Sequence, residues 1–239
     1  MTQIRPRLNE KEYQLILDFR KQENSNVLII GDLHEPFTLK GYLNHCIKIR
    51  NKYNCNKIVF IGDIIDNHYS SFHTTDPDGY GAGEELDRAI NKISKWYETF
   101  PNADVIIGNH DAIISRQAKS SGISKNWLKS YSDVLNTPNW NFIPELFDNN
   151  ILYRHGLGQK ASPKSLNDMV NIVQGHFHTE AYVHWKTGKK VKVFGMQVGC
   201  GIDKDAYAMA YAKAHPHPSI GCGVIIENGT LPIIEMMEL

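Results

Sequence analysis

Short apolar runs rich in Val and Ile recur along the first three quarters of the chain. These runs are Val27–Ile30, Ile58–Ile61, Val105–Ile107, Ile151–Tyr153 and Ile172–Val173. Continuous apolar runs of this length are typical of strands that are buried on both faces. Between the early runs, Gly41–Arg50 and Glu84–Phe100 mix polar and apolar positions in a helix-like pattern. The alternation of strand and helix predicts a mainly parallel α/β arrangement.

The last third of the chain has a different pattern. Four further strands are predicted there, at Ala181–Trp185, Val191–Val198, Gly223–Glu227 and Leu231–Met236. Short turns such as Thr187-Gly188 and Asn228-Gly229 join them, which predicts an antiparallel second half or a second sheet. No internal repeat, low-complexity segment or Pro/Gly-rich linker divides the chain. We therefore expect residues 1–239 to form a single domain.

Composition narrows the classes of partner. The chain carries 26 Lys and Arg residues against 26 Asp and Glu residues, so its formal net charge is zero. A balanced charge provides no long-range field that would attract nucleic acid or a membrane surface. A local patch formed by Lys186, Lys189, Lys190 and Lys192 keeps nucleic acid open as a partner. The sequence indicates no oligomeric state.

The expected location follows from the cysteines and the apolar segments. The four cysteines form no C-x-x-C pair and are expected to be buried free thiols, which suits a reducing cytosol. The N-terminal segment has no apolar signal core, and no run approaches the ~20 apolar residues of a membrane span. We expect a soluble cytoplasmic protein with no membrane partner.

Side chains of the kinds that bind metal ions follow five of the predicted strands. They are Asp32 and His34, Asp63 with Asp66, Asn109-His110-Asp111, His155, and His176 with His178. Carboxylates, amide oxygens and imidazoles are ligands that divalent ions take. The carboxyl ends of strands in open α/β sheets face a common crevice, so these side chains are expected to converge. Each motif alone is weak, and the ordered set of five predicts the metal site.

Together these motifs resemble those of the calcineurin-like metallophosphoesterase superfamily. The matching segments are Gly31-Asp32-Leu33-His34, Gly62-Asp63-Ile64-Ile65-Asp66, Gly108-Asn109-His110-Asp111, His155-Gly156 and Gly175-His176-Phe177-His178. The resemblance implies an α/β fold of two stacked mixed β-sheets flanked by helices, an αββα sandwich. It also implies hydrolysis of a phosphate mono- or diester by metal-activated water.

The resemblance implies two divalent metal ions and a ligand set for each. One ion would be bound by Asp32, His34 and His178. The other would be bound by Asn109, His155 and His176. Asp63 would bridge the two ions. Manganese is the expected metal, with Fe, Zn, Co and Ni as alternatives, because ligand type alone does not fix metal identity.

Two further positions receive catalytic roles from the resemblance. His110 would face the phosphate without binding metal, as a general acid or charge stabiliser. Asp66 would hydrogen-bond His110 and fix its orientation. Asn67 follows Asp66 here, whereas many family members carry an arginine at that position.

Five residues are candidates for substrate contacts. Arg154 and Arg116 are candidates to replace the missing arginine, although surface placement is the norm for arginine. Three residues of the long loop after Asp66 are candidates to line a pocket, with loop packing as the alternative: His68, Tyr69 and His73.

Three functions remain open at this stage. The favoured one is a phosphoesterase that acts on a small phosphate ester or a nucleotide. A nuclease that acts on DNA or RNA with the same two-metal site is the second, and the balanced charge gives it no visible support. A binding scaffold without turnover is the third, and the complete ligand set with His110 argues against it.

Overall fold

The computed structural model describes residues 9–11, 25–72, 75–208 and 217–239. Within these ranges, two mixed β-sheets pack face to face and helices cover their outer surfaces. The helices are α1 (Tyr42–Lys52), α2 (Ala82–Thr99), α3 (Ile113–Ser120), α4 (Tyr131–Leu135) and α5 (Ala161–Asp168). A short 3-10 helix spans Lys125–Trp127.

The first sheet has the strand order β11-β10-β1-β2-β3-β4. Its strands are β1 (Val27–Ile30), β2 (Lys57–Phe60), β3 (Ala103–Ile106), β4 (Trp140–Ile143), β10 (Gly221–Ile226) and β11 (Leu231–Met236). Strands β1 to β4 are parallel to one another, and the β10–β11 hairpin is joined antiparallel to β1. The carboxyl ends of β1, β2 and β3 therefore lie at one edge of this sheet.

The second sheet has the strand order β5-β6-β7-β9-β8. Its strands are β5 (Glu145–Asp148), β6 (Ile151–Arg154), β7 (Asn171–Gln174), β8 (Ala181–Thr187) and β9 (Lys192–Val198). Strands β6, β7 and β9 are parallel, whereas β5 and β8 run antiparallel at the two edges. The two hairpins predicted in the last third of the chain therefore belong to different sheets. Of the two arrangements predicted for this part of the chain, the single antiparallel half is wrong.

Both faces of the first sheet are buried, which explains its continuous apolar runs. In β1, Leu28 and Ile30 pack with α1 and α2, while Val27 and Ile29 pack against the second sheet. Successive strand side chains point to opposite faces, so one run of four apolar residues serves two cores. The predicted α/β sandwich of two mixed sheets flanked by helices is confirmed.

Two further observations bear on the expectations from composition. All four cysteines are buried and free, as expected. Among the described residues, no helix combines the length and the apolar character needed to cross a membrane. The single-domain organisation of residues 1–239 stays a prediction.

Candidate metal centre

The candidate centre lies where the carboxyl ends of β1, β2 and β3 meet those of β6 and β7. The backbone turns sharply just beyond several of these strands. His34, Asp63 and His176 adopt left-handed conformations, with φ angles of 49°, 48° and 73°. Such angles cost of order 1–2 kcal/mol for residues with a Cβ and are typical of functional sites. These turns aim side chains from separate strands into one small volume.

Glycines at two strand ends make room for the site. A Cβ added to Gly108 would collide with the Asp63 carboxylate, and one added to Gly175 would collide with the Asp32 carboxylate. Each glycine therefore belongs to one motif while it accommodates the carboxylate of another. The motifs therefore depend on one another for space as well as for the chemistry of their side chains.

One group of converging side chains contains Asp32, His34, Asp63 and His178. Nε2 of His178 lies 3.0 Å from Oδ2 of Asp32 and 3.2 Å from Nε2 of His34. Nε2 of His34 lies 3.7 Å from Oδ2 of Asp63. The other oxygen of Asp32 is buried and has no hydrogen-bond partner within the described part of the chain.

A second group contains Asp63, His155 and His176. Nε2 of His155 lies 3.0 Å from Oδ2 of Asp63 and also 3.0 Å from Oδ1 of Asn109. The ring of His176 packs edge-on against that of His155, with ring centroids 5.2 Å apart. The structure therefore brings together the seven residues predicted as metal ligands.

Asp63 belongs to both groups. Its Oδ2 faces His155 on one side and His34 on the other, while its Oδ1 accepts a hydrogen bond from the His110 backbone N–H at 2.7 Å. Burial alone would raise the pKa of this carboxyl. The imidazoles of His155, His110 and His34 outweigh burial and hold the pKa of Asp63 far below its usual range. The carboxylate is ionised and available to cations on two sides.

Hydrogen bonds at the outer ring nitrogens orient two of the imidazoles. Nδ1 of His34 contacts Oδ1 of Asp66 at 2.5 Å, and Nδ1 of His155 contacts the Ile61 carbonyl oxygen at 3.0 Å. A carbonyl can only accept, and a carboxylate accepts when ionised, so these contacts assign the proton to Nδ1. In the neutral form of each ring, the Nε2 lone pair then points into the site, as expected of metal-binding histidines.

The pKa shifts of three histidines separate those that are neutral from one that is charged. Burial and neighbouring imidazoles lower the pKa of His34 and of His176, which favours the neutral, metal-binding form. Burial also acts to lower the pKa of His155, but the carboxylates of Asp63 and Asp32 outweigh it and raise the pKa to about 10. Without a metal ion, a proton on His155 compensates those carboxylates.

His110 lies beside both groups, with its side chain 17% exposed. Its Nδ1 donates to the Asp66 backbone carbonyl at 2.7 Å, whereas the Asp66 carboxylate is 3.5 Å away and bonds His34 instead. Asp66 therefore hydrogen-bonds His110, and it does so through its backbone carbonyl rather than its carboxylate. Burial lowers the pKa of His110, but the carboxylates of Asp63 and Asp66 raise it overall.

Asp111 connects the loops after β2 and β3, a role that the sequence reading missed. Its Oδ1 accepts the N–H groups of Ile64 at 3.0 Å and Ile65 at 3.2 Å, and its Oδ2 accepts that of Gly108 at 2.8 Å. The side chain thereby fixes the position of Asp63 relative to Asn109. Burial and the nearby Asp63 carboxylate raise the pKa of Asp111 to about 7. Its place beside the ligand motif was the available signal.

Glu85 on α2 holds the segment that follows Asp66, and it was also missed. Its two carboxylate oxygens accept the backbone N–H groups of His68 at 2.7 Å and Tyr69 at 3.1 Å. Because Asp66 carries the carbonyl that orients His110, Glu85 supports the site from behind. Burial raises the pKa of Glu85.

The donor set fits two divalent metal ions. Two ligand atoms held at about 2.1 Å from one ion, at tetrahedral to octahedral angles, lie roughly 3.0–3.4 Å apart. Most of the inward-facing contacts described above have such separations. Imidazole nitrogens, carboxylate oxygens and one amide oxygen also match the chemistry of first-row divalent ions. A bound cation would satisfy the buried, unpartnered oxygen of Asp32.

The candidate substrate residues divide into two kinds. Arg154 and Arg116 line an open cleft that also contains Asn109 and His155. His68 is buried, its ring packs on Tyr207, and its Nε2 accepts the Asp76 N–H, which agrees with the loop-packing alternative. Tyr69 is exposed, and its backbone N–H bonds Glu85. His73 lies outside the described residues.

The chain matches the model of a known protein family. A family model described as calcineurin-like phosphoesterase matches residues 25–200. That match contains the strands β1, β2, β3, β6 and β7 and all seven predicted ligands. No curated protein matches the chain significantly.

Solved structures that match the chain share little sequence with it. Vacuolar protein sorting 29 from Cryptosporidium parvum is 14% identical, with coverage of 90% of this chain and 98% of that chain and a TM-score of 0.42. The Escherichia coli phosphoesterase Yfce is 14% identical, with coverage of 84% and 87% and a TM-score of 0.37. The nuclease MPE from Pseudomonas putida is 10% identical, with 87% coverage of both chains and a TM-score of 0.36.

Proposed function

The chain belongs to the calcineurin-like phosphoesterase family, and on this premise we propose that it hydrolyses a phosphate mono- or diester with two divalent metal ions. The observation that carries the proposal is the position of Asp63. Its carboxylate faces two groups of converging ligands, one with His34 and one with His155. A carboxylate in that position reduces the repulsion between two ions that share one phosphate.

The residues of the chain have separable tasks in this reaction. When bound, the two ions supply Lewis-acid activation of water and neutralise charge on the phosphate. Hydrolysis forms a bond from the water oxygen to phosphorus and breaks the bond from phosphorus to the alcohol oxygen. The departing alcohol oxygen then needs a proton, which His110 donates. Since the Asp66 carbonyl engages Nδ1 of His110, Nε2 is the nitrogen that faces substrate.

The carboxylates beside His110 suit it to proton donation. Without metal ions, the carboxylates of Asp63 and Asp66 raise the pKa of His110 and so favour its protonated form. The imidazolium charge also attracts the phosphoryl oxygens. Both effects act on the substrate directly and leave the metal ligands free for the ions.

The proposed metal is manganese, and the proposed substrate is a small phosphate ester or a nucleotide. The predicted ligands are oxygen and imidazole nitrogen donors without thiolate, a combination that suits Mn and also accommodates Fe, Co, Ni or Zn. The zero net charge of the chain favours a small substrate over a long polyanion.

The experiment that tests the proposal is metal removal and return. Purified protein is stripped with a chelator, its metal content is verified, and hydrolysis of para-nitrophenyl phosphate and bis(para-nitrophenyl) phosphate is measured. We expect no hydrolysis without metal and recovery that saturates near two equivalents of Mn. The variant Asp87→Asn, on the exposed face of α2, serves as the matched control. Undiminished hydrolysis in metal-free protein contradicts the mechanism, and failure of every ion to support hydrolysis of either ester contradicts the function.

A further inference from the structure

An open cleft of about 570 Å³ extends from one side of the metal centre. Of the seven predicted ligands, its lining includes Asn109 and His155, so it opens beside the second ligand group. Pockets of 300–1,000 Å³ accommodate whole small molecules. The cleft therefore has room for a substantial part of a substrate in addition to the phosphate that is cleaved.

Two arginines give the cleft a positive character. Arg154, at the end of β6, and Arg116, on α3, both line it, together with the single carboxylate of Glu145. Glu145 and Arg154 are cross-strand partners in β5 and β6, and their charged groups lie 3.6 Å apart. One carboxylate against two guanidinium groups leaves a net positive charge, which favours an anionic ligand.

Arg154 has hydrogen-bonding capacity that the protein leaves unused. Its Nε is buried and has no hydrogen-bond partner among the described residues, although a terminal nitrogen faces Glu145. A buried donor without an acceptor is unfavourable, and a ligand oxygen would satisfy it. The planar guanidinium group matches the oxygens of a phosphate with two parallel donors.

Arg116 is positioned separately from Arg154. Its guanidinium lies over the exposed ring of Phe72, 4.8 Å from the ring centroid. This contact orients an otherwise exposed side chain at the cleft. Apolar side chains complete the lining of the cleft: Ile107, Ala112, Pro144 and Leu157. Such walls suit the carbon framework that joins two charged groups of one ligand.

We infer that the cleft binds the part of the substrate next to the scissile phosphate, and that Arg154 with Arg116 binds a second phosphate there. The inference rests on the proposed function and narrows its substrate class to esters with at least two phosphates. The cleft lining includes neither Asp63 nor His110, beside which the scissile phosphate would lie. Arg154 therefore recognises a part of the substrate other than the phosphate that is cleaved.

The test compares two substrates that differ by one phosphate. Thymidine 5′-(para-nitrophenyl phosphate) and its 3′-phosphorylated form release the same para-nitrophenolate, so only the additional phosphate differs. We expect the 3′-phosphorylated substrate to have a kcat/KM roughly 10- to 100-fold higher, the effect of one or two charge-assisted hydrogen bonds. A third arm, in which the 3′ position carries an internucleotide diester, distinguishes a terminal phosphate from a nucleic-acid backbone.

Variants of Arg154 test whether this residue causes the preference for the 3′-phosphorylated substrate. Arg154→Met is expected to remove most of the preference, because kcat/KM falls more for the 3′-phosphorylated substrate than for the substrate without the 3′-phosphate, while Arg154→Lys retains part of it. Arg116→Met is expected to have a smaller effect of the same kind. Arg50→Met replaces an exposed arginine on α1 and is the matched control, with no change. Circular dichroism and metal content establish that each variant is folded and loaded.

Binding measurements separate this inference from the proposed function. Calorimetry compares thymidine 3′,5′-bisphosphate with thymidine 5′-monophosphate on metal-loaded protein, with the same variants and without turnover. Tighter binding of the bisphosphate that depends on Arg154 supports the inference even if no ester is hydrolysed. Equal affinity of the wild-type protein for both ligands overturns the inference, and so does a loss in Arg154→Met that is the same for both.

Discussion

The Asp66 carboxylate contacts Nδ1 of His34 at 2.5 Å, and this contact turns Nε2 of His34 into the metal centre. A hydrogen bond of this kind fixes the tautomer of a metal-binding histidine and raises its basicity. The same residue orients His110 through its backbone carbonyl. Asp66 therefore acts on one imidazole through its side chain and on another through its main chain.

This arrangement predicts a selective effect of Asp66→Asn. Loss of the carboxylate is expected to weaken metal binding by the group with His34 by about 10- to 100-fold. The group with His155 is expected to keep its affinity, because Nδ1 of His155 is held by Ile61 instead. Calorimetric metal titration resolves the two sites, with Asp87→Asn as control. Equal weakening of both sites contradicts the selective role.

Replacement of Asp63 is expected to have the broadest effect on metal binding. Its carboxylate faces both ligand groups, so Asp63→Asn should deplete both ions, whereas His34→Ala should chiefly deplete one. Elemental analysis after gel filtration measures metal per chain. An Asp63→Asn protein that keeps two ions and a near-normal rate would show that the carboxylate bridges nothing.

His110→Ala is expected to separate proton donation from metal binding. We expect a loss in kcat of about 10²–10⁴-fold with both ions retained, because the side chain serves the substrate and not the metals. The loss should be smaller for para-nitrophenyl esters than for alkyl esters, since a good leaving group needs less protonation. Rates are compared across leaving groups of different pKa.

The leaving-group comparison also defines the contrary outcomes for His110. A protein that loses a metal ion identifies His110 as a ligand. An equal loss for good and poor leaving groups removes the proton-donor role and leaves only charge stabilisation of the phosphoryl oxygens. Metal analysis of the same samples identifies the first case, and the rates across leaving groups identify the second.

Asp111→Asn is expected to destabilise the protein and disturb the site together. The carboxylate accepts three backbone N–H groups, and an amide NH₂ in its place would set a donor against a donor. We expect the free energy of unfolding to fall by about 2–4 kcal/mol, as for a broken buried network. Urea denaturation of metal-free protein measures this, with the exposed Asp87→Asn as control. A change below about 0.5 kcal/mol contradicts the role of Asp111.

Metal binding is expected to release a proton from His155. In the metal-free protein the pKa of His155 is about 10, so the ring is protonated at neutral pH, yet a ligand must be neutral. Apparent metal affinity should therefore rise with pH between about 7 and 10. Calorimetry at pH 7.5 in buffers with different heats of ionisation counts the protons, with His155→Ala as the comparison. A binding heat that is independent of the buffer contradicts the exchange.

The same pKa determines the contribution of His155 to the pH dependence of stability in the metal-free protein. The folded-state pKa of His155 lies above its ordinary value of about 6.5. Its contribution to stability is therefore fully present below pH ~6.5 and is lost as the pH rises through about 10. Thermal unfolding of chelator-treated protein across this range checks the sign, and a rise in stability that disappears in His155→Ala would contradict it.

The sequence predicted the buried strands well and the exposed elements poorly. Runs such as Val27–Ile30 are apolar throughout because both faces are covered, so the pattern is unambiguous. Strand β5 (Glu145–Asp148) and helix α5 (Ala161–Asp168) were missed. The first is an edge strand whose residues alternate between exposed and half-buried, and the second carries Pro163 and two serines in its first turns. Their identity depends on tertiary packing rather than on local pattern.

The site shows the same division. The predicted ligands could be found because each follows a strand in a recognisable motif. The hydrogen-bond partner of the Asp66 carboxylate could not be predicted. His34 and His110 are both imidazoles next to Asp66, and only the turns of the backbone decide which of them the carboxylate contacts. Likewise, Arg154 and Arg116 share a cleft only because α3 and β6 meet beside the metal centre. The spacing of residues in the sequence does not show which helices and strands come close together in the fold.

The placement of the ligands on two sheets links metal capture to the order of assembly. His34 follows a strand of the first sheet and His178 a strand of the second, 144 residues apart in sequence. No complete ligand group exists until the sheets have docked, so tight metal uptake is a late event in folding. Because the unfolded chain lacks the site, ions bound there would act as a reversible cross-link between the sheets. Under the proposed function, metal supply would then govern how long the docked state persists as well as whether it is active.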